Sequence, residues 1–204
     1  MNSFKLSGMA ISLGGIFLIT VNAVFTPMLP MDVPFPEMMA SQVYVWRLSL
    51  AALTVFLFMI GSPGLYRYQA GQSGLLGKVS FGLAFLGCAT LFAHEWGQVF
   101  FVHSIAIAAP DALQAMEDTK GINLFDIEAL IAITFFSLGW IAFAISMLVT
   151  RVYSRTGPAL IITGFFAVPL LSAMTSPIVG GALGTLVLGT GFILMGRELA
   201  GGTK

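Results

Sequence analysis

The sequence predicts an all-α fold, a polytopic transmembrane helical bundle of about six spans with both termini cytoplasmic, and three observations carry that reading. A chain of 204 residues that is 57% hydrophobic and 9% charged has too little polar material to coat a water-soluble globule. Its apolar residues fall in runs close to the ~20 residues a helix needs to cross a bilayer core, and the strand alternation of outer-membrane barrels is absent. The charges also sort by side. Lys5, Arg67, Lys78, Arg151, Arg155, Arg197 and Lys204 fall on one side of a six-span arrangement. Asp32, Glu37, Asp111, Glu117, Asp118, Asp126 and Glu128 fall on the other, with Lys120 as its cation. Lys and Arg near span ends are retained in the cytoplasm, which sets the orientation; five or seven spans would scramble the division.

The spans are expected near residues 8–29, 38–61, 79–108, 127–150, 157–175 and 177–197, forming one transmembrane domain over 1–204. The first is separated from the second by Pro27, Pro30, Pro34 and Pro36, and Gly61-Ser62-Pro63-Gly64 is expected to end the second. Pro110 and Gly121 bracket the loop after the third. Asp126 is suited to cap the fourth, Gly157-Pro158 opens the fifth, and Ser176-Pro177 turns the fifth into the sixth. The opening MNSFKLSGMAISLGGIFLIT has features of a cleaved signal peptide, but its apolar run continues through Phe25 without a small-x-small site, so retention is expected. On the sixth span Gly181, Thr185 and Gly189 recur every four residues, with Gly180 and Gly184 one position over. Such a stripe allows close helix approach, within the bundle or between copies. The single cysteine, Cys88, lies in an apolar run and supplies no disulfide framework.

Charged, amide and imidazole side chains are rare inside the spans, so those present define the candidate site together with Tyr44: Asn22 on the first, Tyr44 and Arg47 on the second, and His94, Glu95 and Gln98 on the third. At 1.5 Å per residue, Asn22, Arg47 and Glu95 share a depth roughly 21 to 24 Å from the cytoplasmic ends. A lone charge there costs about 2.5 to 3.5 kcal/mol, so Arg47 and Glu95 are expected to pair. Tyr44, Arg47, Ala51 and Thr54 form one helical stripe and Gly87, Thr90, His94 and Gln98 another, which together would enclose a polar pocket, with Ser137 or Ser172 at similar depth. Glu95 sits about 100° around the helix from His94, so one ligand reaches both only at an edge.

His94 and His103 cannot share a metal, being about 13 Å apart along one helix. His103, Asp126 and Glu128 form a candidate carboxylate and imidazole set, although helix-end capping explains the acids more simply and no metal is assigned. HExxH, GxSxG, CxxC, a P-loop and a Rossmann fingerprint are absent, and no cofactor is implied. The segment APDALQAMEDTKGIN carries Leu113 and Met116 on one side and acids elsewhere, which would suit a short interfacial helix over the pocket mouth.

The opening KLSGMAISLGGIFLI, the VWRLSLAAL run containing Arg47, and GLYRYQ together resemble a broad bacterial family of uncharacterised six-helix integral membrane proteins, a domain of unknown function. The resemblance implies topology and a bacterial cytoplasmic membrane, but no activity or catalytic residue. Three function classes stay open. One is a protein whose polar cluster binds or moves a small amphiphile, lipid head group or proton. Another is a structural or accessory subunit packing through the glycine-bearing sixth helix, and the third is an intramembrane enzyme using His94 and Glu95. The expected partners are the lipid bilayer, a lipid or small amphiphile, and a second copy or larger membrane complex, not nucleic acid.

Overall fold

A computed structural model describes residues 3–119 and 124–202; the sequence features at Lys120, Gly121 and Lys204 lie outside the described residues. The described residues are 91% helical and contain no strand. The elements are α1 (Ser3–Thr20), α2 (Phe35–Ala40), α3 (Gln42–Gly97), α4 (His103–Ala108), α5 (Pro110–Glu117), α6 (Leu124–Thr150), α7 (Thr156–Met174) and α8 (Pro177–Gly201). A π-helical turn, Val21–Phe25, and a 3-10 turn, Thr26–Met28, continue α1, and a second π turn, Gln98–Val102, joins α3 to α4. Five helices are long and apolar enough to cross a membrane, which marks an integral membrane protein: Ser3–Met28, Gln42–Ala108, Phe125–Thr150, Thr156–Met174 and Pro177–Gly201.

The second of these is not straight. Gly74 has φ 54° and ψ −141°, a conformation that a residue with a Cβ adopts only under strain, and the chain reverses there. Tyr66 stacks on Phe81 at 4.7 Å, Phe56 meets Phe92 at 5.8 Å, and Tyr44 hydrogen-bonds Gln98, so α3 is a hairpin of two antiparallel limbs. The expected stop at Gly61-Ser62-Pro63-Gly64 does not occur; helix continues through Pro63. Proline cannot donate to the carbonyl four residues back, that of Met59, and the Ser62 hydroxyl donates to that oxygen instead, at 3.1 Å. A hydroxyl beside the proline thus supplies the partner that the ring removes.

Close backbone approach assembles the bundle. A Cβ on Gly139 would lie 2.6 Å from the backbone of Leu83 and Ala84, and one on Gly87 would lie 2.5 Å from that of Phe136, which seats α6 against the second limb of α3. Along α8, Gly180 and Gly184 face Ser172 and Val168 of α7, while Gly189 and Gly196 face Gly15 and Gly8 of α1. The small-residue stripe is therefore largely used inside the bundle, although Gly181 has no neighbour within 4 Å of a Cβ position. The core centres on Trp140, Phe58 and Phe192, all fully buried; Phe58 and Phe192 stack at 4.1 Å and the Trp140 indole donates to Cys88 Sγ at 3.3 Å.

The two ends of the bundle differ chemically. At one, Phe4 packs edge-on to Tyr68, Arg67 lies over Phe4, and Glu198 accepts from the backbone and hydroxyl of Ser154. At the other, α2 packs on α4 and α5 through Met39, Ala106 and Leu113, beside the start of α6 with Asp126 and Glu128. The candidate site belongs to this acidic end.

Candidate functional site

His94 and Glu95 are consecutive residues on the second limb of α3, and the helical turn of about 100° between them sends their side chains to different surroundings. His94 faces α6. Its Nδ1 lies 2.6 Å from Glu128 Oε2, and its Nε2 lies 3.2 Å from the Gln98 amide nitrogen. Gln98 Oε1 in turn accepts from the Tyr44 hydroxyl across the hairpin. One set of roles satisfies every group for a neutral imidazole: Nδ1–H donates to the carboxylate, and Nε2 accepts from the amide. Glu128, His94, Gln98 and Tyr44 thereby form a continuous hydrogen-bonded series spanning three helical segments.

Glu128 and His94 open onto a cavity of about 540 Å³ between the second limb of α3, α2, α5 and the start of α6. Phe35, Met39, Phe101, Ile105, Leu113 and Phe125 contribute its apolar lining, while Glu117, Asp126 and Glu128 join His94 on the polar part. The segment expected to cover the pocket mouth does form a helix, α5, with Leu113 buried and Met116 on the cavity wall.

Glu95 points about 100° away around the helix. Together with Asn22, Arg47 and Thr54 it lines a smaller cavity of about 130 Å³ between α1, both limbs of α3 and α6. The expected contact pair between Arg47 and Glu95 is not formed: among the described residues the one ion pair within 4.0 Å is His94–Glu128. Arg47 Nε instead donates to Thr26 Oγ1 at 2.9 Å, which holds the guanidinium toward α1 with the cavity between the two charges. Asn22 Nδ2 donates to Leu18 O at 3.0 Å. Asn22 lies within the π turn Val21–Phe25, Thr26 follows it directly, and the second π turn begins at Gln98, so both departures from α geometry carry or adjoin polar groups of the site, where such bulges often occur.

Four of the six expected ligand-binding residues thus line a cavity, Asn22, Arg47 and Glu95 the smaller and His94 the larger, while Tyr44 and Gln98 line neither and connect to His94 by hydrogen bonds. Of the stripe Gly87, Thr90, His94 and Gln98 on the third span, Gly87 and His94 meet α6, whereas Leu91 and Glu95, which lie outside that stripe, line the smaller cavity. Phe136, rather than Ser137 or Ser172, is the contribution of the later helices to the smaller cavity. The metal-ligand set does not assemble: His103 Nδ1 donates to Met39 O at 2.9 Å, Glu128 is engaged by His94, and no three His, Cys, Asp or Glu side chains converge among the described residues. Sequence reasoning missed the Glu128–His94 contact and the anchoring role of Thr26; the latter had a signal in its position one turn beyond Asn22. No protein-family model, curated protein or solved structure matches the chain.

Proposed function

We propose that this chain is a six-crossing protein of the bacterial cytoplasmic membrane, with both termini inside, that binds an amphiphile entering from the outer half of the bilayer. The observation that carries this reading is the 540 Å³ cavity, which combines aromatic and aliphatic walls with an acidic, histidine-bearing edge. Its volume is within the range of about 300 to 1,000 Å³ that suits small-molecule ligands. An apolar tail matches Phe101, Ile105 and Leu113; a head group that is cationic or rich in hydrogen-bond donors matches Glu117, Asp126 and Glu128. The six-crossing reading counts the two limbs of α3 as separate crossings, and it is supported by the charge rule, under which Lys5, Arg67 and Arg155 share the cytoplasmic side.

The test is photo-crosslinking in liposomes with an amine-headed amphiphile that carries a diazirine in its tail. Adducts at Phe101, Ile105 or Met116, competed by the unlabelled amphiphile, are expected. Adducts restricted to outward-facing Leu138, Phe166 and Leu170, which are exposed on the bundle surface, would contradict the proposal.

A further inference from the structure

The smaller cavity contains a carboxylate oxygen that the protein itself leaves without a partner. Glu95 Oε2 is buried, and no hydrogen bond from the described residues reaches it. None of the hydrogen bonds its polar neighbours make reaches it: Asn22 donates to Leu18 O, Thr54 Oγ1 donates to Leu50 O at 2.7 Å, and Arg47 donates from Nε to Thr26 while its remaining guanidinium N–H groups stay beyond 4.0 Å of the carboxylate. Leaving a buried acceptor unsatisfied is unfavourable, so the cavity must supply a donor. An anion would be repelled by Glu95 and a cation by Arg47, so the species that suits both is small, neutral and able to donate to one while accepting from the other. Water has that chemistry, and 130 Å³ accommodates about four molecules at ~30 Å³ each.

We propose that this cavity is a hydrated proton-binding site, in which a proton delivered through water forms an O–H bond at Glu95 Oε2. The step balances as hydronium plus carboxylate giving water plus carboxylic acid, with no change in oxidation state. Release is the reverse. The charged and titratable groups acting on Glu95 are Arg47 and Tyr44 from the first limb, His94 on its own turn and Glu128 from α6. The site stands independently of the amphiphile reading, because it is a different cavity on another face of the same helix.

The test is pH-difference infrared spectroscopy on the full chain in lipid nanodiscs, in H₂O and in D₂O. A carboxylic-acid C=O band is expected to grow as pH falls, to shift in D₂O, and to be lost in Glu95→Gln. In Ala51→Leu, whose extra carbons enter the cavity, the midpoint of that band is expected to move by about tenfold or more in proton affinity. A folded wild-type protein without a titrating band, or the same band persisting in Glu95→Gln, would overturn the proposal. If Glu95→Gln does not fold, Ala51→Leu decides: an unaltered band in that variant would equally overturn the hydrated site.

Discussion

His94 Nδ1 lies 2.6 Å from Glu128 Oε2, joining residues 34 positions apart on two different membrane-length helices. Taken alone, the contact contributes little stability, because Glu128 is 48% exposed. Its consequence lies in the series it begins, which passes through Gln98 to Tyr44 on the opposite limb.

If these four side chains act as one unit, Tyr44→Phe and Glu128→Ala are energetically coupled although Tyr44 and Glu128 do not touch. A double-mutant cycle measured by unfolding in mixed micelles is expected to give a coupling of about 0.5 kcal/mol or more. Additivity of the two changes would show that Gln98 and His94 transmit nothing between them.

The hairpin in α3 depends on one backbone conformation. Gly74→Ala forces a Cβ into φ 54°, ψ −141° and is expected to destabilise the protein by about 1 to 3 kcal/mol. Gly71→Ala is the matched control, since a Cβ there meets nothing within 4 Å and the residue is helical; it should be neutral or stabilising by up to about 1 kcal/mol. Equal losses of stability for the two variants would mean that Gly74 is not the hinge.

At Pro63 the sequence carries its own remedy. Ser62→Ala removes the hydroxyl that serves Met59 O, at an expected cost of about 0.5 to 1.5 kcal/mol. Adding Pro63→Ala restores an N–H donor to the same carbonyl, so the double variant should recover most of that loss. If the double variant is no more stable than Ser62→Ala, the hydroxyl is not compensating for the proline.

The helical class and the two chemically distinct ends were legible in the sequence because apolar run length and charge placement are one-dimensional properties. The reversal point was not. Gly61-Ser62-Pro63-Gly64 carries the stronger breaker signal, and only the three-dimensional reach of Ser62 to Met59 O explains why helix persists to Gly74. Depth along the helices gave Asn22, Arg47 and Glu95 one level, and all three line the smaller cavity, but depth says nothing about azimuth between packed helices. Thus His94 and Glu95 were expected around one pocket and line two. Glu128 went unrecognised as the partner of His94 because a carboxylate in the first turn of a helix already has a sufficient explanation in the helix dipole. Leu113 was more readable, being buried as its apolar side chain on a short segment suggests, whereas Met116 lines the cavity while 47% exposed and the acidic Glu117 lines it too.

The amphiphile pocket is tested most directly by filling it without disturbing the fold. Gly97 lines the large cavity, and a Cβ there meets nothing within 4 Å; Gly82, on the same limb of α3 but exposed and outside the cavity, has equally open surroundings. Gly97→Leu and Gly82→Leu are therefore a matched pair, both expected to fold at least as well as the wild type because glycine is a poor helix former. Native mass spectrometry of protein released from nanodiscs containing the amine-headed amphiphile measures how much stays bound. Gly97→Leu is expected to lose at least about tenfold of the retained amphiphile while Gly82→Leu matches the wild type; equal retention by all three proteins would rule out the pocket as the binding site.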